Sequence, residues 1–235
     1  MSQNTALEIV ATSGACARRA FAAGADRIEA CEALELGGIS PGPEVLEDIL
    51  EHRPALGVHA LLRNRPGDFH YGEADLQVME RQARRLARTG VDGLVLGAVD
   101  ASGTVDLKAV ARMAAAGLEV NPELEITMHR AIDASTDPVA SVTQLLDLGI
   151  HRVLTRGGQD CAGEGLEVIE RMVQAAGGRI QIMAGGGMKA RDIGPALRAG
   201  AAAVHFSAKT QHAGTIRVSE QHVEQLRNML NALTD

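Results

Sequence analysis

Four short apolar runs open in the same way. Gly24 is followed by Ala-Asp-Arg-Ile-Glu, Gly90 by Val-Asp-Gly-Leu-Val, Gly149 by Ile-His-Arg-Val-Leu and Gly200 by Ala-Ala-Ala-Val-His. Each glycine ends a helix-like run, where it supplies a left-handed cap, and the β-rich segment behind it reads as a strand entered by a tight turn. The glycines lie about two strand–helix units apart, so eight parallel strands are expected, in an α/β single-domain (β/α)8 TIM barrel spanning residues 1–235. Fourth after each glycine stands an aliphatic residue: Ile28, Leu94, Val153 or Val204. Strand side chains alternate, so these four belong under the helices, and Glu29, Val95, Leu154 and His205 face the lumen.

The same alternation places the polar groups. Glu29, Cys31, His205 and Ser207 come late in their strands and point at the carboxyl-end mouth, where barrels of this class carry function. In the first strand, Leu7–Ala11, Glu8 enters the lumen near Glu29, with Arg27 and Arg152 as candidate partners. His59, Leu61 and Arg63 share the inner face of the third strand. The loop behind it holds Arg65, Asp68, His70 and Tyr71, which suits a lid, and Arg63 or Arg65 is the expected partner of Glu29. Gly93 and Gly97 leave room in the lumen. His129 enters the mouth from the fifth strand, while His52, His212 and His222 are expected on solvent-facing helices or tails. Strand seven stops in Gly185, Gly186 and Gly187; with Ser207 these suit an anion held on backbone N–H groups.

Composition narrows the partners. Hydrophobic residues make up 46% of 235 residues, yet there is one Tyr, three Phe and no Trp, so the core is aliphatic. A net charge of -7 argues against a phosphate-backbone footprint. The N-terminal stretch has neither a basic segment nor an apolar run of signal length, which favours the cytoplasm and no membrane partner. The three cysteines, Cys16, Cys31 and Cys161, match no CxxC spacing and are expected reduced.

The segments around Glu8, GADRIEAC, LLRNRPGDF, GVDGLVLGAV, MHRAID, RVLTRGG, IMAGGGM and VHFSA together resemble the copper homeostasis protein CutC family over nearly the whole chain. The resemblance implies a cytoplasmic TIM-barrel protein of copper tolerance or trafficking, with copper(I) on Cys31 and imidazole help from His129 or His205. Many relatives carry a second cysteine where this chain has Val10. The residues themselves also support an enzyme acting on a small anionic metabolite. In that reading Glu29, His129 and Glu8 are the acid–base groups; Arg63, Arg65, Asp68, Gly185 to Gly187, His205 and Ser207 hold a phosphate or carboxylate. The expected partner is a small molecule or a metal ion, with self-association left open.

Overall fold

In the computed structural model, which describes residues 5–212 and 215–234, all four repeat glycines are left-handed, with φ of +93° at Gly24, +85° at Gly90, +68° at Gly149 and +87° at Gly200; three follow directly on a helix C-cap, and Gly149 ends the turn that follows its helix. Of residues 211, 212, 215, 216 and 234 the backbone alone is described, so the side chain of His212 lies outside the described set, as do residues 1–4 of the N-terminal stretch. Strands β1 (Ala6–Ala11), β2 (Arg27–Ala30), β3 (Val58–Leu61), β4 (Gly93–Leu96), β5 (Glu125–Met128), β6 (Arg152–Thr155), β7 (Gln181–Gly185) and β8 (Ala203–Phe206) close a barrel in sequence order. Every neighbouring pair is parallel, including β8 with β1.

Around it run helices α1 (Gly14–Ala22), α2 (Pro43–Leu50), α3 (Glu73–Arg88), α4 (Leu107–Leu118), α5 (Pro138–Leu145), α6 (Leu166–Ala176), α7 (Ile193–Arg198) and α8 (Glu220–Thr234). Their starts follow local chemistry. Ser13 Oγ accepts from Cys16 N at 3.2 Å, Asp106 from Ala109 N at 3.0 Å, and Asp137 from Val139 N and Ala140 N with Pro138 at the first helical position. Between β8 and α8 the chain adds an antiparallel hairpin, β9 (Lys209–His212) and β10 (Thr215–Val218), which the sequence pattern did not suggest.

Ile28, Leu94, Val153 and Val204 are fully buried in the layer between strands and helices. Each contributes about 1.5–3 kcal/mol relative to exposure. The lumen holds two separate apolar clusters. Ala6, Leu154, Met183 and Ala203 form one, and Val10, Cys31, Leu61 and Val95 form the other. The room expected beside Gly93 and Gly97 is not empty space. A Cβ on Gly93 would stand 2.6 Å from His59 Nδ1, and one on Gly97 would stand 2.7 Å from His129 Nδ1, so both glycines are filled by imidazole rings.

Candidate functional site

Barrel closure builds the centre of the site. Glu8 lies opposite Arg27 on β2 and opposite His205 on β8, so one carboxylate reaches both neighbours. Its side chain is 1% exposed. Arg27 Nε donates to Glu8 Oε2, and His205 Nδ1 lies 2.7 Å from Glu8 Oε1. An ionised carboxylate only accepts, so Nδ1 carries the proton and the free Nε2 is turned up toward the mouth. There it stands 3.8 Å from Glu29 Oε2. Burial would raise the Glu8 carboxyl, but Arg27 and His205 hold it well below the usual range. Burial raises the Glu29 carboxyl against the pull of His205. His205 is raised as well: burial opposes its charge, and Glu29 and Glu8 outweigh burial.

The arginines expected to partner Glu29 are engaged elsewhere. Arg63 is buried and donates to the carbonyls of Gly38 at 2.9 Å and Gly67 at 2.6 Å, with its guanidinium over the Phe69 ring. It clamps two loops at the rim and lines the cavity there. Arg65 binds Asp68 at 3.1 Å, Asp75 at 3.3 Å and the carbonyl of His70 at 2.6 Å. Arg65 and Asp68 therefore fasten the loop to itself and do not line the cavity. The cation that takes the expected place beside Glu29 is His205.

His129 reaches the cavity with a chemistry different from the expected one. Its Nδ1 accepts from Ala131 N at 3.1 Å, which puts the ring proton on Nε2, a buried atom with no hydrogen-bond partner. Burial, reinforced by Arg63, lowers its pKa to about 3. At neutral pH this ring is uncharged, with Nε2–H as its donor.

The cavity, about 340 Å³, opens at the carboxyl ends of the strands and is lined by Glu29, His205, His129 and Cys31. On the side of β7 and β8 it is bounded by Gly186, Gly187, Ser207 and Lys209. Gly186 and Gly187 have φ of +99° and +66°, a conformation that favours glycine, and a Cβ on Gly187 would meet Cys161 Cβ at 2.8 Å. Gly185 sits outside the lining, packed on Leu154 and His205. Cys31 is 1% exposed; burial and then the nearby carboxylates of Glu29 and Glu32 push its thiol up, so it stays protonated.

Three basic lining residues escaped the sequence reading. Arg130 has no hydrogen-bond or ion-pair partner among the described residues, and its Cδ lies 3.2 Å from where a Cβ on Gly186 would be. Strand alternation puts Arg130 outside, but a 3-10 turn begins at that residue and swings it into the mouth. Lys209 opens the hairpin, and His222, expected in solvent, is half-buried on the first turn of α8 and lines the cavity. One acid holds the neighbouring loop. Asp133 accepts from Thr155 Oγ1 at 2.6 Å and from the amides of Arg156 and Gly158.

Fold and site define the class: a (β/α)8 barrel whose mouth holds a carboxylate–imidazole–carboxylate chain beside an anion-compatible rim. Comparison with known proteins narrows this. The CutC family model matches residues 5–210, and the chain belongs to the CutC family. The family protein CutC of Xanthomonas campestris pv. campestris (strain 8004) is 40% identical over 216 residues, covering 92% of this chain and 88% of that protein. That of Klebsiella pneumoniae (strain 342) is 41% identical over 86% of this chain and 79% of its own length. Among solved structures, a Streptococcus agalactiae protein named provisionally as copper homeostasis protein CutC superposes with a TM-score of 0.79 at 27% identity, covering 86% of this chain and 98% of that one. Phosphoribosyl anthranilate isomerase from Thermus thermophilus, at 15% identity and a TM-score of 0.63, shares the fold alone. Among the described residues no helix is long and apolar enough to cross a membrane.

Proposed function

We propose that the chain is an enzyme that moves protons on a small anionic metabolite. The observation that carries this reading is the buried chain from Glu8 through His205 to Glu29, ending at the cavity. Glu8 fixes the tautomer and the ring orientation of His205, whose raised pKa keeps a proton available to a substrate at Nε2. Glu29, with its carboxyl raised by burial, is the matching base, so the pair is Glu29 with His205 and not Glu29 with His129. His129 Nε2–H donates to a substrate oxygen. Arg130, Lys209 and the Gly186–Gly187 backbone supply the positive end. The free thiols of Cys16, Cys31 and Cys161 favour a reducing, cytoplasmic setting.

The name of the Streptococcus agalactiae relative raises copper. Copper(I) selects thiolate, and here a single protonated thiol, Cys31, packs against Val10, Leu61 and Val95. Among the described residues the cluster able to gather around an ion is Glu8, Glu29 and His205, an oxygen-rich set in which Arg27 already neutralises Glu8. These residues do not fit copper(I).

The test is turnover in D2O across a panel of small phosphates and carboxylates, followed by mass spectrometry. Wild type should convert or deuterate at least one compound, and His205→Gln should lower that rate by about 10²–10⁴-fold. An inert wild type that instead binds copper(I) tightly, with binding lost in Cys31→Ser, would replace this reading with the metal one.

A further inference from the structure

Because the strands close in sequence order, the lumenal positions at the mouth fall into two contiguous arcs. From β1 to β4 they are Val10, Cys31, Leu61 and Val95, none more than 5% exposed and together one apolar cluster with Leu34 packed against it. From β5 to β8, with the loops that follow, the cavity meets His129, Arg130, Gly186, Gly187, Ser207 and Lys209, with Leu154 and Met188 among them, and Arg63 closes the end of the apolar arc. Cys31 belongs to the first arc by its chemistry, since a thiol held in its protonated form behaves as a small apolar group. The proton-transfer pair lies at the seam, with Glu29 on β2 and His205 on β8 meeting across β1. Val10, Cys31, Leu34 and Leu61 all reach the cavity wall. Only Leu34 of this wall keeps appreciable exposure, so what a ligand gains there is chiefly the removal of its own hydrocarbon from water.

We infer, on the basis of the function proposed above, that the substrate is amphipathic. Its anionic head, a phosphate or carboxylate, lies against the loops after β7 and β8, and an unbranched or lightly branched hydrocarbon body lies along the β1–β3 wall. Reaction then falls on the atom that joins them, opposite Glu29 and His205. Size agrees. An aliphatic cavity of about 150 Å³ takes a benzene ring, so a cavity of about 340 Å³ accepts a body of that bulk beside its head group.

The test is a chain-length series read by calorimetry: methyl, propyl, butyl and hexyl phosphate, with acetate, butyrate and hexanoate in parallel. Each methylene buried on the wall should tighten Kd by about fourfold, and the head group that binds tighter at equal chain length identifies the anion. Leu61→Asn should flatten the series, as should Cys31→Ser, which changes less volume and guards against a failure to fold. Arg130→Gln should weaken every member by a similar factor. A series that binds but shows no dependence on chain length overturns the amphipathic assignment and leaves the proposed function standing. Binding that ignores Arg130→Gln, or no binding of any member, removes the anion site and both readings with it.

Discussion

Arg27→Met removes the guanidinium bonded to Glu8 in the lower lumen while keeping an unbranched apolar side chain. Both partners are almost wholly enclosed, with side chains 2% and 1% exposed, so solvent cannot stand in for the lost guanidinium. Breaking a buried pair by removing one partner costs about 3–5 kcal/mol, because the remaining charge is left uncompensated. At about 2–4 °C per kcal/mol for a chain of this size, Tm should fall by roughly 6–20 °C. Urea unfolding at pH 7 measures the same quantity. Glu8→Gln in the Arg27→Met background should recover about 2–3 kcal/mol relative to the sum of the single losses, since no unpaired charge remains and the amide oxygen still accepts from His205 Nδ1–H. The pH dependence has a defined sign. In the wild type the folded pKa of Glu8 is depressed, so its stabilisation is present above the unfolded carboxylate pKa and is lost as pH falls through the folded value. In Arg27→Met burial dominates and the carboxyl rises, so the deficit should shrink toward acid pH. An additive cycle, or a loss under about 1 kcal/mol for Arg27→Met, would show that Arg27 does not hold Glu8 charged.

Acid should destabilise the protein through His59 and His129, both held near pKa 3 chiefly by burial. Between the unfolded value near 6.5 and about 3, each withdraws about 1.4 kcal/mol per pH unit, so His59→Asn should flatten the fall in unfolding free energy from pH 6.5 to 4.5. An unchanged slope would argue against a buried neutral imidazole. Gly97→Ala brings a Cβ to 2.7 Å from His129 Nδ1, which should cost about 1–3 kcal/mol and shift the ring's ¹⁵N resonances; unmoved resonances would mean that the ring is not seated on that glycine. Val10→Cys places a second thiol in the cluster of Cys31 and should sharply raise copper(I) affinity against a chelator, while wild type releases its metal. Tight stoichiometric binding by wild type, lost in Cys31→Ser, would contradict this.

The glycine-led repeats were enough to phase β2, β4, β6 and β8, because a period of two leaves only two choices and Ile28, Leu94, Val153 and Val204 exclude one of them, and the odd strands follow from their own alternation. That phase put Glu8, Glu29, His129 and His205 in the lumen correctly. What it could not supply was pairing: Glu8 and His205 are 197 residues apart and meet only when β8 closes on β1. It also could not follow the chain past a strand end. Arg130 is misassigned by alternation because a 3-10 turn starts there, and Arg63 and Arg65 are consumed by loop carbonyls and acids whose positions no periodicity encodes. The roles of the histidines depended on single hydrogen bonds. An amide donating to Nδ1 fixes the proton of His129 on Nε2, and a carboxylate accepting from Nδ1 helps to raise the pKa of His205.

Glu8 and Arg27 lie beneath the mouth and outside its lining, and Arg27 borders a separate depression at the amino end of the barrel. The basicity of His205 is thus set from two sides, by Glu29 and Arg130 in the mouth and by Glu8, which nothing entering the mouth can touch. A change at Arg130 on the rim therefore alters both what the mouth admits and the proton affinity beside it, whereas a solute or a substitution that reaches Arg27 from the opposite end of the barrel can retune that affinity through Glu8 alone.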